Sequence, residues 1–520
     1  MNEGEKEKFM YDKNPGSGSS AFEHCTPESV GVSSMVVLRC LKELEACGTD
    51  MHGFVLYRKG KIIAETSWRP YAKEIPHTNH SMGKSYTAAA IGIACGEGIL
   101  SLQDKLADIF AGELDRWSIH PSPKFRSIKI KHLLSMSAGM EHMPPLTDNW
   151  ILDYLRSEPV YEPGSHFLYD TSGSSLLGAI IEKRSGMGLK EYLTDRMFRK
   201  IGIDSERFIW LKFPNGCYAE PGTCATDEDN LRLGLLYMNY GCWNGEQIIP
   251  RDWVEQATSF QVSTSGEIVK EARQGYGYQL WLCSTPETYR FDGGQGQYCV
   301  FSRSSGLVAS LHEGASVPEI APRVLDILLE NLFSDELPES LPEDTKAQLE
   351  LLEYLASRSV RKSPVCCDSK TSRKFSGVYI VREGDPNPWI EVCPGGVNFF
   401  SLFYDRYVNP AVEKIEIIAG DDECRIVLND RSVFRGRFDG EFRVCDTKNV
   451  LPLQKTCCNA YMEGDKLCMD LRWLNGWFGM KMEFTLSEDG NRLDIAVYKD
   501  TLNEMNPVNV RRGWAQRMIR

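Results

Sequence analysis

Several features that would assign the chain to a familiar class are missing from its sequence. No apolar run reaches the length of a transmembrane helix, and the polar segment 1–13 lacks the apolar core of a secretory signal. Neither a His-Glu-x-x-His motif nor a paired Cys-x-x-Cys motif occurs, so no dedicated zinc site is predicted. We therefore expect a soluble, cytoplasmic protein without a membrane partner or a bound metal.

An excess of basic residues is also missing. The 520 residues include 59 Lys and Arg against 72 Asp and Glu, which gives a net charge of −13. Binding to nucleic acid depends on clustered Lys and Arg, so we expect no nucleic-acid partner. The 17 cysteines are an odd number spread over a long chain, which favours reduced thiols over a disulfide scaffold.

The length predicts more than one domain. A flexible, Gly- and Ser-rich tail is expected over residues 1–25, followed by a first domain over 26–335. A charged linker with one helix is expected over 336–365. Residues 366–520 consist of short alternating segments, which are typical of an all-β domain.

Within the first domain, predicted strands lie at both ends and predicted helices lie between them. Apolar runs around Arg58–Lys61 indicate a hairpin, and residues 298–312 indicate a second one after a strand at 275–281. This order predicts an α+β fold in which an antiparallel sheet is flanked by a helical block. The predicted helices are 35–46, 86–95, 128–139, 174–184, 227–240, 250–257 and 322–333.

A serine and a lysine lie one turn apart where an apolar helix is predicted to begin. Ser81 precedes the small, apolar residues 86–95, and Lys84 follows three positions later on the same helix face. A lysine can activate a serine only as a neutral amine, so we expect burial to lower the pKa of Lys84. About one or two Ser-x-x-Lys patterns arise by chance in a chain of this length, and Ser359 begins another. On its own, the motif leaves a structural role open.

The surrounding segments give this motif a context. Residues 26 to about 335 resemble the serine β-lactamase-related hydrolases, which include class C β-lactamases, D-alanyl-D-alanine peptidases and family VIII esterases. The resemblance implies a β-lactamase/transpeptidase-like domain, here followed by a smaller all-β domain. The matching segments, in order, are Pro27–Gly31, His80–Ala88, Gly96–Asp104, His132–Gly139, Pro163-Gly164 with Tyr169, Leu176–Glu182 and Gly275–Tyr278.

The resemblance also implies roles for individual residues. Ser81 matches the acylated nucleophile, Lys84 its partner, and Tyr169 the tyrosine of the Tyr-x-Asn motif, which shuttles a proton. A phenol close to a cation should have a lowered pKa, which suits a general base. A lone tyrosine in a core with a satisfied hydroxyl is the alternative. The backbone NH of Gly294 is expected to form an oxyanion hole with that of Ser81; a simple glycine turn is the alternative.

Two positions depart from the family pattern. Thr171 replaces the asparagine of Tyr-x-Asn, so it could bind a substrate amide only through a hydroxyl. The third motif aligns with Phe291, Asp292 and Gly293, which lack the usual basic residue, and Arg290 should face the opposite side of the strand from Phe291. Phe291 and Asp292 would disfavour a substrate carboxylate.

These observations predict a serine hydrolase that cleaves an ester, lactone or amide bond of a small molecule through a Ser81 acyl-enzyme. No metal or organic cofactor is implied, and an oligomer is compatible with the sequence. The alternatives are a D-alanyl peptidase or β-lactamase, or a catalytically idle member of the family that binds a ligand. The long loops 140–165 and 211–226 are expected to shape the pocket.

Overall fold

The structure is a computed structural model that describes most of the chain. The described residues are 21–144, 147, 149–213, 215–315, 319–334, 336–364, 369–384, 386, 411–430, 432–446, 455–477, 479–499 and 510–518. The described residues do not include residues 1–20 of the predicted tail or residue 365, the last residue of the predicted linker. Within the described residues, no helix combines the length and the apolar character needed to cross a bilayer.

The sheet of the first domain joins strands from both of its ends. The strands are β1 (Glu23–His24), β2 (Met51–Arg58), β3 (Lys61–Ser67), β4 (His77–Thr78), β5 (Ile209–Lys212), β6 (Tyr218–Ala225), β7 (Cys242–Trp243), β8 (Glu246–Gln247), β9 (Trp281–Leu282), β10 (Thr288–Gly293), β11 (Gln297–Ser302) and β12 (Leu307–Glu313). Seven of these form one sheet in the order β1-β3-β2-β12-β11-β10-β9, with Phe54 opposite Leu311. Both predicted hairpins are present. The smaller sheet β4-β6-β5 lies beside the helices.

The helical block lies between the two halves of the sheet in sequence. Its main core cluster includes Val55 of the sheet together with Ala90, Leu177 and Leu233 of three different helices. The helices are α1 (Ser34–Ala46), α2 (Gly83–Gly96), α3 (Leu106–Ile109), α4 (Ala111–Arg116), α5 (Ile130–Leu134), α6 (Trp150–Arg156), α7 (Thr171–Ser185), α8 (Leu189–Leu193), α9 (Arg199–Ile201), α10 (Asp227–Met238), α11 (Arg251–Ala257), α12 (Ile320–Leu328), α13 (Thr345–Ala356) and α14 (Ser369–Arg373). The predicted α+β fold is therefore confirmed.

Two predicted elements are shorter than expected. The predicted helix 128–139 ends at Leu134, because the carbonyls of Met136, Ser137 and Gly139 accept hydrogen bonds from the backbone of residues 160–168. The predicted strand 275–281 is mostly irregular, and only its last residue joins β9. Gly275 at φ 105° and Gln279 at φ 57° break the extended conformation there.

The C-terminal part forms a ten-stranded antiparallel sheet, which confirms its predicted all-β character. The strand order is β16-β15-β14-β13-β22-β21-β20-β19-β18-β17. The strands are β13 (Gly377–Gly384), β14 (Lys414–Ala419), β15 (Glu423–Leu428), β16 (Ser432–Arg437), β17 (Arg443–Asp446), β18 (Lys455–Glu463), β19 (Lys466–Trp473), β20 (Gly479–Leu486), β21 (Arg492–Lys499) and β22 (Val510–Arg517). One apolar cluster with Ile415, Met469 and Phe484 fills its core.

The predicted linker helix is present as α13. It packs on the first domain: Leu351 is 2% exposed and belongs to the same apolar cluster as Leu38 and Leu41 of α1. Arg358 follows the helix and donates two hydrogen bonds to the Glu45 carboxylate.

Candidate active site

Ser81 lies in a short 3₁₀ turn, His80–Met82, that leads directly into α2. The turn is fixed from one side by β6, because the Asn79 NH donates to the Thr223 carbonyl at 2.9 Å. Gly83 permits this close approach, since a Cβ there would lie 2.6 Å from the Glu220 carbonyl oxygen. The structure therefore places Ser81 at the beginning of a buried helix, where the sequence predicted it.

Lys84 connects Ser81 to an acidic residue that sequence reasoning missed. Its Nζ donates to Ser81 Oγ at 2.9 Å and to Glu220 Oε2 at 2.6 Å. The side chains of Lys84 and Glu220 are each 1% exposed, and Glu220 comes from β6. Ser81, Lys84 and Glu220 thus form a continuous polar chain within a buried setting.

The electrostatics of this chain correct one prediction. Burial acts to lower the pKa of Lys84, but the Glu220 carboxylate and the Tyr169 oxygen outweigh it and raise that pKa above its ordinary value. The expectation of a lowered lysine pKa is wrong, because it took no account of Glu220. Burial raises the pKa of Glu220 to about 7, against the opposing charge of Lys84. Of the two groups, the Glu220 carboxylate is the one whose pKa lies close to neutrality, so it can accept a proton from Lys84.

Tyr169 lies on the other side of Lys84. Lys84 Nζ is 5.0 Å from the Tyr169 ring centroid, and that ring stacks on Trp281 with centroids 6.0 Å apart. The Leu168 NH donates to the Met136 carbonyl, which fixes the backbone before the tyrosine. Asp170 follows and caps α7 by accepting from the Gly173 NH at 2.9 Å.

The expected pKa of Tyr169 also needs correction. Burial raises the pKa of the phenol, and this effect exceeds the lowering by Lys84 and by a hydrogen bond with Ser81. The prediction of a lowered pKa is wrong for that reason. At neutral pH the hydroxyl is protonated, so it can donate a proton more readily than it can remove one.

Gln279 holds the elements of the site together. Its carbonyl accepts from Ser85 Oγ at 2.8 Å, next to Lys84 in α2. Its side-chain nitrogen donates to the Leu133 and Leu134 carbonyls, and its side-chain oxygen accepts from Ser174 of α7. These bonds join α2, α5 and α7, and they use the positive φ that interrupts the predicted strand.

The glycine-rich end of β10 packs against the Ser81 turn. A Cβ on Gly293 would lie 2.1 Å from the Asn79 carbonyl oxygen, so only glycine fits there. A Cβ on Gly294 would lie 4.0 Å from the His80 ring. Gly294 therefore lies beside His80, the residue before Ser81, while the role of Gly294 and Ser81 in an oxyanion hole stays a prediction.

The third motif has a different orientation from the one assumed. Phe291 is 1% exposed and packs against Tyr237 and Phe301 in the core, so it does not line a pocket. Arg290 faces away from it, as predicted, and thereby shares a face with Asp292. Arg290 Nε donates to Asp292 Oδ2 at 2.8 Å. Burial raises the pKa of Asp292 despite this partner.

Arg290 and Thr171 offer little to a ligand. The Arg290 guanidinium is 3% exposed and also donates to the Glu271 and Leu282 carbonyls. Thr171 is the first residue of α7 and is 5% exposed. Its proposed contact with substrate stays a prediction.

One group of potential metal ligands occurs among the described residues, and it lies in the C-terminal sheet. Glu463, Cys468 and Glu483 approach one another there. The Lys481 ammonium already lies between the carboxylates, 2.7 Å from Glu463 Oε2 and 2.8 Å from Glu483 Oε1. Because Glu463, Cys468 and Glu483 belong to the C-terminal sheet, they are separate from the polar chain of Ser81, Lys84 and Glu220.

Comparison with known proteins gives one family and several distant relatives. A family model described as Beta-lactamase matches residues 42–313. Penicillin-binding protein 4* of Bacillus subtilis (strain 168) is 29% identical over 170 residues, which cover 30% of this chain and 36% of that protein. The 6-aminohexanoate-dimer hydrolase of Paenarthrobacter ureafaciens is 19% identical over 273 residues, covering 48% of this chain and 68% of that protein.

A third relative extends the range of named activities. The lovastatin esterase of Penicillium rubens is 25% identical over 190 residues, covering 31% of this chain and 47% of the esterase. The chain thus spans 36% of the length of the penicillin-binding protein and 47% of that of the esterase.

Proposed function

Because the chain belongs to the β-lactamase family of serine hydrolases, we propose that it hydrolyses an ester, lactone or amide bond of a small molecule through a Ser81 acyl-enzyme. The observation that carries the proposal is the hydrogen-bonded chain from Ser81 Oγ through Lys84 Nζ to Glu220 Oε2. A serine hydroxyl becomes an effective nucleophile when a neighbouring group can take its proton, and the hydrogen bond between Lys84 and Ser81 provides the path for that transfer.

Acylation begins when Ser81 Oγ attacks the substrate carbonyl carbon and loses its proton. The Lys84 ammonium cannot accept that proton, so it first gives one of its own to Glu220. The resulting neutral amine takes the Ser81 proton, and the net result is a proton moved from serine to Glu220. A pKa of about 7 lets Glu220 accept and release this proton near neutral pH.

The remaining steps use Tyr169 and backbone amides. The tetrahedral intermediate places its oxyanion near the NH groups of Ser81 and Gly294, which stabilise the negative charge. The Tyr169 hydroxyl donates a proton to the leaving alkoxide or amine and is reprotonated by Lys84. Water then attacks the acyl carbon and gives one proton to the Lys84–Glu220 pair. As the bond between Ser81 Oγ and the acyl carbon breaks, Lys84 returns one proton to Ser81 Oγ, which restores the serine hydroxyl and the starting ion pair.

The charges around the site favour an uncharged acyl group. Arg290 is paired with Asp292 and with two carbonyls, so it offers no free positive charge to a carboxylate. Asp292 is 25% exposed and would repel an anion when ionised. The named activities of the 6-aminohexanoate-dimer hydrolase and the lovastatin esterase support amides and esters as the bond types.

A D-alanyl peptidase is the second candidate, because the penicillin-binding protein is 29% identical to this chain over 170 residues. The experiment is a comparison of turnover for p-nitrophenyl acetate, a cyclic lactone, a penicillin and a D-alanyl-D-alanine peptide. We expect turnover of the ester or the lactone and none of the peptide. Peptide turnover above that of the ester would replace the first proposal by the second, and no turnover of any substrate would favour the idle, ligand-binding alternative.

A further inference from the structure

A turn of the C-terminal β domain contacts the backbone that carries Ser81. The turn joins β19 to β20, and its residues 474–477 lie against the first domain. Asn475 is 3% exposed and Trp477 is 2% exposed. Leu474 is fully buried in the apolar cluster that contains Trp68 and Tyr71 of the first domain.

Asn475 contacts the short strand β4 and the residue before it. Its carbonyl accepts from the Thr78 NH at 2.9 Å, and its side-chain nitrogen donates to the Pro76 carbonyl at 2.6 Å. Its side-chain oxygen accepts from the Lys455 NH within the C-terminal sheet. The backbone and the side chain of Asn475 together thus connect the β19–β20 hairpin to the segment three to five residues before Ser81.

Trp477 extends this contact to the residue next to the nucleophile. Its ring lies 6.1 Å from the His80 ring, centroid to centroid. His80 has a φ of 46°, which is unfavourable for a residue other than glycine. Such a conformation persists only where the surrounding structure enforces it. The Thr223 carbonyl of β6 holds one side of the His80–Met82 turn by accepting from the Asn79 NH. Trp477 of the C-terminal domain contacts the same turn at His80.

The same hairpin reaches β4 by a second route. Arg472, at the end of β19, pairs with Asp50, which accepts from His52 at 3.0 Å. His52 in turn is hydrogen-bonded to His77 of β4, with 2.9 Å between the ring nitrogens. Burial lowers the pKa of both histidines, so this route is a chain of neutral rings at neutral pH.

We propose that Asn475 and Trp477 are positioning residues, through which the C-terminal β domain holds β4 and the His80 backbone so that Ser81 Oγ stays in contact with Lys84. This inference rests on the proposed function, since it concerns the proposed nucleophile. The C-terminal domain would thus support catalysis by positioning the Ser81 backbone, and it would not contact the reacting atoms.

The test compares Asn475→Ala and Asn475→Asp with wild type. The carboxylate introduced by Asn475→Asp would keep an acceptor for the Lys455 NH but could not donate to the Pro76 carbonyl. This variant keeps the size of the side chain, so the test still works if the alanine variant fails to fold. Asn429→Ala is the matched control, because Asn429 accepts from two backbone NH groups inside the same β domain. Two quantities are measured: the rate of Ser81 labelling by a fluorophosphonate, and hydrogen exchange of peptides covering residues 76–86.

We expect both Asn475 variants to label roughly tenfold more slowly, with a lower kcat and a nearly unchanged KM for any substrate that is turned over. Exchange at 76–82 should increase, and Asn429→Ala should match wild type in both measurements. Labelling and exchange at wild-type levels in both Asn475 variants would overturn the inference. If wild type is not labelled at all, the proposed function fails, and exchange at 76–82 alone decides whether the turn positions this segment.

Discussion

The Lys84 ammonium and the Glu220 carboxylate form an ion pair at 2.6 Å in which each side chain is 1% exposed. The same ammonium donates to Ser81, so the protonation of the proposed nucleophile depends on a carboxylate 136 residues further along the chain. This pairing, and not apolar burial alone, determines the charge state of the lysine.

Replacing Glu220 should destabilise the fold strongly. Glu220→Gln leaves Lys84 buried without a counter-charge, and breaking such a pair costs about 3–5 kcal/mol of unfolding free energy. Urea unfolding at neutral pH measures this cost. The control is Glu113→Gln, whose partner Lys183 is 35% exposed, with an expected loss below about 1 kcal/mol. Equal losses in the two variants would contradict the role of burial.

The acylation rate should depend on pH through Glu220. The proposed route needs the ionised carboxylate, whose pKa is raised to about 7, so the rate should rise with pH and level off above about 8. The measurement is the rate of Ser81 labelling from about pH 5 to about pH 9. In Glu220→Gln the step near pH 7 should vanish. A flat profile in wild type would argue against Glu220 as the proton acceptor.

The Tyr169 hydroxyl should affect turnover more than binding. Tyr169→Phe keeps the ring that stacks on Trp281 but removes the proposed proton donor, so we expect kcat to fall about 100-fold with little change in KM. Steady-state kinetics with an ester check this. Tyr276→Phe is the control, because it removes a hydroxyl from the same aromatic cluster and should retain activity. A similar loss in both variants would assign Tyr169 a packing role.

Neutralising Asp292 should make the site more tolerant of anions. Asp292→Asn leaves the positive charge of Arg290 uncompensated, so acylation by a penicillin should rise relative to a neutral ester, by roughly tenfold. The ratio of the two kcat/KM values is the quantity to compare with wild type. An unchanged ratio would show that this ion pair does not face the substrate.

The contact between the domains should weaken in acid. Burial opposes ionisation of Asp50, but Arg472 and His52 lower its pKa to about 2 from an ordinary value of 3.8. Its stabilising contribution is therefore complete above about pH 5 and is lost as the pH falls towards 2. Between about pH 5 and pH 3, wild type should lose about 1 kcal/mol more unfolding free energy than Asp50→Asn. Parallel losses in urea unfolding would exclude this carboxylate as the cause.

The sequence predicted those parts of the fold that depend on local patterns. Alternating residues and glycine turns located both hairpins, and their pairing follows from the position of predicted strands at both ends of the domain. The spacing of Ser81 and Lys84 was sufficient to place them together, because residues three apart share a helix face. The interruption at Gln279 was not predictable, since its positive φ is maintained by bonds to three distant helices.

Glu220 shows why part of the site was missed. It lies in the segment 211–226, for which the sequence predicts only a loop that shapes the pocket, and no local motif connects it to Lys84. The available signal was a single acidic residue within the otherwise uncharged segment 218–225, which becomes meaningful only when β6 is known to lie beside α2. Trp477 is buried, at 2% exposed. The proximity of Trp477 to His80 depends on the packing of two domains.

Intact-protein mass spectrometry after incubation with a fluorophosphonate, followed by peptide mapping, tests directly whether Ser81 is an activated nucleophile. Wild type should gain one adduct on Ser81, and a folded Ser81→Ala protein should gain none. Labelling of Ser81→Ala to the same extent, or no adduct on correctly folded wild type, would contradict the account of Ser81 as an activated nucleophile.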